Sequence, residues 1–308
     1  MANYVPSGKA GPLGIGTTLG LGLIAAVVAA ALFHLVGRLF YLVLLFPIAW
    51  GAGIGMAVAM GVRIGKCRNS VVGVAAGLVA AVASFGLFQV LENRHVKSSF
   101  DEYLAKEVKA NVKDAEVAAQ LDHAYDEYLR REHGGTGFMA QLAVRAGMGM
   151  NISRRGRSGK GEKPMITGAG MYVYWSVELA IIAGMCGLLS LGATRSAFCE
   201  KCEEWYETKE LAGVVSGRTE QVRQAIVSKD YGRLPTLVVR TNPGGALSVE
   251  KCPKCSAAPV VVKIEAITVD DKGKESRSTV FEEMIPAAEA KAMESALTSP
   301  SAPGPAAT

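Results

Sequence analysis

The residues whose type and spacing best suit chemistry are two Cys-x-x-Cys knuckles, Cys199-Glu-Lys-Cys202 and Cys252-Pro-Lys-Cys255. Two such turns can aim four thiolates at one point, the donor set of a closed tetrahedral Zn²⁺ site. Three chemistries compete. Structural Zn²⁺ leads, because four thiolates leave no open coordination position and bound metal supplies folding energy that a small β-domain lacks. A membrane dithiol oxidoreductase would use the same Cys199, Cys202, Cys252 and Cys255, but the expected βαβ context is missing. An iron–sulfur or rubredoxin-like iron centre is the third. No nucleophile–base pair, phosphate loop or nucleotide fingerprint is present, so no catalytic residue is assigned.

The knuckles need a scaffold, and the sequence around them describes one. Between Cys202 and Cys252 lie 49 residues, whereas compact ribbons use about 15 to 20. An insertion accounts for the excess: Trp205-Tyr206 extends from the first knuckle, and Arg218 to Ser228 has helical character. After Cys255 the β-branched run Pro259 to Val269, the turn Asp270 to Lys274 and the segment Ser276 to Ile285 predict a β-hairpin. A short Ala-rich helix follows from Ala287. Residues 193–296 are thus expected to form a zinc-ribbon-like α+β domain, and 297–308, rich in Ser, Pro and Ala, a disordered tail.

Ahead of that domain the chain is lipid-soluble. Half the residues are hydrophobic although 61 are charged, so apolar and polar residues must be segregated. Four segments approach the roughly 20 apolar residues that a membrane helix needs: Thr18–Leu35, Leu39–Val62 with a kink at Pro47, Val71–Leu91 and Met171–Gly192. The first three occupy 14–92, behind a flexible N-terminus at 1–13. A signal peptide does not fit the first, which lacks the ordered basic region, short core and cleavage site. Gly51-x-x-x-Gly55 and Gly73-x-x-x-Gly77 predict close helix packing inside one bundle, ahead of a homo-oligomer seam.

The short loop with Arg63, Lys66 and Arg68 should be cytoplasmic, which places both termini inside and residues 93–170 outside. Reduced thiols also belong in the cytosol. The 93–170 insert reads as amphipathic helices, the first capped by Ser99-Phe-Asp-Glu102, then an interfacial segment at 138–150 and a basic linker at 153–163. Glu178, inside the fourth span, requires a partner, and His34 and Arg38 are the expected ones. Cys67 and Cys186 are expected to pack or be solvated.

The net charge of +5 is modest and the C-terminal region is balanced, which speaks against nucleic acid as a partner. Gly51-Ala-Gly-Ile-Gly-Met-Ala-Val-Ala-Met-Gly61, Gly147-Met-Gly-Met-Asn-Ile-Ser-Arg154 before Tyr174-Trp175, and the two knuckles resemble bacterial polytopic membrane proteins that end in a zinc-ribbon-like domain. The resemblance implies an inner-membrane location and carries no activity. The expectation is an α-helical membrane protein with four transmembrane helices and a helical insert. It would act as a scaffold for a protein partner. The alternatives are a small transporter or channel component using Glu178 and His34, and the dithiol oxidoreductase.

Overall fold

The structure, a computed structural model, describes residues 4–37, 44–107, 115–151, 165–239, 244–271 and 273–298. The chain divides into two compact units, 9–194 and a second made of 195–308 with the N-terminal residues 1–8.

The first unit is helical: α1 (Pro12–Gly37), α2 (Leu45–Ile64), α3 (Ser70–Glu107), α4 (Ala115–His133), α5 (Phe138–Met148) and α6 (Ala169–Arg195), with α6 ending at its border. A short pairing of β1 (Met150–Asn151) with β2 (Met165–Ile166) sits between α5 and α6. Helices α1, α2, α3 and α6 are long and apolar enough to cross a membrane. Trp50, Ile54, Val58 and Ile182 form the centre of the bundle, but the packing of α1 is inverted relative to a water-soluble helix. On α1 the buried stripe is Gly14, Thr18, Gly22, Ala26 and Ala30, while Ile24, Val27, Val28, Leu32 and Leu35 face outward. Small residues inside and large aliphatic ones outside are what a hydrocarbon surround favours, since lipid tails solvate Leu as well as protein does.

Both glycine motifs serve this packing. A Cβ built on Gly51 would stand 2.7 Å from the Ile182 carbonyl oxygen of α6, and one on Gly77 would stand 2.9 Å from Ser190 Oγ of the same helix. On the α1 side, a Cβ on Gly61 would meet the Thr17 carbonyl oxygen at 2.7 Å. Trp50 ties three helices together, stacking on Phe33 of α1 and donating from Nε1 to Ser84 Oγ of α3 at 2.9 Å. Ser84 in turn donates to the Ala26 carbonyl of α1 at 2.7 Å. Cys67 is buried, and Cys186 is buried with its thiol 3.3 Å from the Gly51 carbonyl.

Two expectations change here. Pro47 falls in the first turn of α2, where its missing N–H breaks no helical bond. The third span and the start of the insert are one helix: α3 runs without interruption past residue 92, and at about 1.5 Å per residue its 38 residues reach roughly 57 Å, beyond a ~30 Å hydrocarbon core. Ser99 lies inside α3, its hydroxyl bonded to the His95 carbonyl one turn back, so no capping box forms. The projecting part is covered by α4 and α5. Phe100 rings meet Tyr125 and Tyr128 at 5.2 and 5.8 Å, and Leu129, Ala140 and Val144 complete the cluster. The basic linker at 153–163, Arg38 and residues 299–308 of the tail lie outside the described residues, while 297 and 298 close the last helix.

The second unit holds a five-stranded antiparallel sheet in the order β6-β5-β7-β8-β9, with β5 at Glu207–Val214, β6 at Val238–Val239, β7 at Gly245–Lys251, β8 at Val260–Val269 and β9 at Glu275–Ile285. The hairpin β8–β9 is the predicted one; β5 and β7, drawn from the insertion between the knuckles, were not anticipated. Helices α7 (Thr219–Val227) and α8 (Ala287–Thr298) and a 3₁₀ turn at Tyr231–Thr236 cover one face. Alternate residues Val260, Val262 and Ile264 of β8 point into that core with Leu247, Val249, Leu234, Val222 and Met293. Val261, on the opposite face, is buried as well, so the start of β8 is covered on both sides and only its core contacts alternate.

Candidate metal centre

Each knuckle is positioned by backbone hydrogen bonding beside the sheet. The first caps a small hairpin in which β3 (Phe198–Cys199) pairs with β4 (Glu204–Trp205). Glu203, at φ 51°, supplies the left-handed residue that lets the chain return after Cys202. Phe198 and Trp205 pack edge to face at 4.9 Å, and the Tyr206 N–H bonds the Ala197 carbonyl. The second knuckle lies in the connection from β7 to β8. Its approach is set by the register Glu207↔Lys251, which brings the strand leaving the first knuckle alongside the strand entering the second. Two further links join the knuckles: Lys254 Nζ to Glu204 Oε1 at 2.9 Å, and the Tyr206 hydroxyl donating to the Pro259 carbonyl at 2.8 Å.

The four sulfurs of Cys199, Cys202, Cys252 and Cys255 consequently lie within 4.8 Å of one another. Cys199 and Cys255 are 3.8 Å apart, and none of the four forms a disulfide. Four thiolates at about 2.3 Å from a tetrahedral centre have edges of roughly 3.8 Å, so the cluster has the dimensions of a metal cage. Cys199 and Cys252 are buried and Cys202 and Cys255 partly so. The electrostatics also ask for a cation. The Cys255 thiol is drawn down to about 7 by hydrogen bonds from the Cys202 thiol and the Ala258 amide. The same pairing with Cys255 pushes Cys202 up to about 12, and burial raises Cys199. Cys255 can ionise readily while Cys199 and Cys202 resist; a bound cation removes that resistance. Burial, reinforced by Cys199, Cys252 and Cys255, pushes the Tyr206 phenol up to about 12, so it stays a donor.

A second polar constellation lies within the helical unit. Glu178 is buried on α6, as its sequence position implied, and His34 and Glu178 come to the same end of the bundle. His34 Nδ1, however, meets Glu92 Oε1 of α3 at 2.6 Å, a partner that sequence reasoning missed. Arg145 of α5 was also missed as an inward-facing group. It is bonded to Gln89 Oε1, lies 3.5 Å from Asn93 Oδ1, and rides 5.2 Å above the Trp175 ring. Burial lowers its pKa while Glu92 and Glu178 oppose that shift. The signal for α3 was present: Gln89, Glu92 and Asn93 recur at helical spacing across the end of the apolar run.

No protein-family model, curated protein or solved structure matches this chain.

Proposed function

We propose that this is an integral membrane protein, of the bacterial inner membrane by its resemblance, that holds a zinc-ribbon-like Cys₄ domain in the cytoplasm as an interaction scaffold. The observation that carries the reading is the closed cage of Cys199, Cys202, Cys252 and Cys255, with all sulfurs within 4.8 Å. Four protein thiolates fill a tetrahedral Zn²⁺ and leave no position for water or substrate, which is the signature of a structural site. The zinc would pin the two knuckles and present their surface to a protein partner. Four apolar helices supply the anchor. An even number of spans returns the chain to its starting side, and the grouping of residues 1–8 with the C-terminal unit supports this, with Tyr4 close enough to act on the Tyr206 phenol.

The test uses full-length protein in detergent. One zinc per chain by elemental analysis, lost in Cys252→Ser, together with labelling of Ser216→Cys in cells only after permeabilisation, is the expected result. A metal-free, reversibly oxidised tail, or labelling from outside, overturns the reading.

A second reading, a small transporter or channel component, is favoured by one observation: Glu178 and Arg145 line a cavity of about 480 Å³ in the helical unit. There Glu178→Gln would abolish solute flux in liposomes while leaving the metal in place.

A further inference from the structure

The sheet of the second unit ends unequally. On one side β6 is two residues long; on the other, β9 runs for 11 residues with β8 as its one hydrogen-bonded neighbour among the described strands. Glu275 to Val280 are exposed in succession, and Glu282 is exposed beyond them. A long edge strand presents a row of unpaired N–H and C=O groups, a template for another strand unless something blunts it. One irregularity interrupts β9. Ile264 of β8 pairs with Phe281 and Glu265 pairs with Thr279, which leaves Val280 as the extra residue of a β-bulge.

The bulge changes which side chains share a face. Arg277 and Glu282, five positions apart, would lie on opposite faces of a regular strand. Here both turn away from the core: Arg277 meets Glu265 at 3.8 Å and Glu282 meets Lys263 at 3.7 Å, and Lys263 and Glu265 alternate along β8 with the core residues Val262 and Ile264. Set β9 antiparallel to a second β9 about a two-fold axis between Thr279 and Val280. Arg277 then falls opposite Glu282, Glu275 opposite Met284 and Ser276 opposite Glu283. Each of these pairs joins residues of one face, and the four charges of the strand are placed with two Arg–Glu pairs across the seam and no like charges opposed. Both partners can reach across. Their side chains are partly exposed, their contacts within the chain are 3.4 Å or longer, and a guanidinium has donors enough for a further carboxylate. Val280, 56 % exposed, stands beside the axis, where a second copy would cover it.

We propose that β9 is a self-association edge, pairing antiparallel with β9 of a second copy of this chain and joining the two five-stranded sheets into one. One strand against one strand is a small interface, of the weak class, and anchoring both copies in one bilayer raises their effective concentration. A foreign peptide would use the same backbone groups; the second copy is argued from the match of Arg277 to Glu282, which the bulge makes possible. The inference takes only the membrane anchor from the proposed function. It survives if the Cys₄ reading fails, since no knuckle residue belongs to β9.

Full-length protein in liposomes, as a mixture of copies fused to donor or acceptor fluorescent proteins, tests it by energy transfer measured against protein density, with flotation reporting insertion separately. The unmutated protein should show transfer. Arg277→Glu and Glu282→Arg should each raise the half-saturating density about tenfold, because like charges then face each other twice across the seam. The double variant restores opposite charges and should return to the original density. No transfer in protein that floats with the liposomes overturns the proposal, as does transfer that neither single reversal weakens, or a double variant no better than the singles. Should a charge variant misfold, or the protein fail to float, photo-crosslinking in detergent decides. Benzoylphenylalanine in place of Val280 should give a product of twice the chain mass, joined within Ser278 to Phe281 of the second copy; a product joined elsewhere, or none, overturns the proposal.

Discussion

Cys252→Ser should free the knuckles without unfolding the sheet, and the topology says by how much. If the metal alone closed the 49-residue segment between Cys202 and Cys252, loop-closure entropy would make that cross-link worth about 4 kcal/mol. The sheet already makes this closure. Glu207 pairs with Lys251, so the ring that remains for the metal runs from Cys202 to Glu207, across the strand pair, and from Lys251 to Cys252. A ring of roughly eight residues corresponds to about 2.5 kcal/mol on the same scale. The sheet also has a core of its own in Leu247, Val262, Ile264, Leu234 and Met293, to which no knuckle residue contributes. Hydrogen exchange on full-length protein in detergent provides the assay. Loss of the metal should reduce protection of the knuckle amides, Tyr206 among them, by about 60-fold, while Leu247, Val249 and Val262 remain protected. A loss of several hundred-fold spread over β7 and β8 would refute the reasoning and make the metal the organiser of the whole domain.

Gly51→Ala should destabilise the helical unit by about 1 to 3 kcal/mol, because its Cβ would overlap the Ile182 carbonyl of α6, whereas Gly53→Ala has open space and should be neutral in a detergent melting assay. Phe100→Ala should cost about 2 kcal/mol and raise protease cleavage in α4 without altering the extraction behaviour of the apolar helices, since Phe100 meets Tyr125 and Tyr128 there. Metal affinity should fall with acidity. The thiolate is the ligand, Cys255 gains its proton as pH drops through about 7, and Cys202, pushed up to about 12, enters binding protonated. Calorimetry in buffers of different ionisation enthalpy should therefore register proton release on metal uptake at pH 7.

The apolar segments and the knuckles were legible because their determinants are local. Twenty apolar residues in a row and two thiols in a four-residue turn carry their meaning without a partner. The hairpin after Cys255 was legible for the same reason, through its β-branched run and Asp-Lys-Gly turn. The reading failed where a local signal had a distant competitor. Ser99-Phe-Asp-Glu102 has the form of a helix start, yet α3 passes through it because Phe100 gains more by packing on Tyr125 and Tyr128 from an unbroken helix. In segment 138–150 the apolar composition predicts an interfacial helix but not its partner, and it is the fold that packs Ala140 and Val144 of α5 on Tyr125 and Leu129 of α4. The strands β5 and β7 were hidden because Glu207–Val214 is polar over much of its length and pairs with Gly245–Lys251 far along the chain.

Sequence alone determined which segments are long and apolar enough to cross a membrane and which four side chains can hold a metal, since hydrophobicity and thiolate chemistry are properties of the residues themselves. Only the tertiary structure decided what closes the long segment between the knuckles, and which groups surround Glu178. Strand pairing and helix packing join residues 44 to 58 positions apart, such as Glu207 with Lys251 and His34 with Glu92. Those choices are made by the whole fold, through burial and hydrogen bonding that no short stretch encodes.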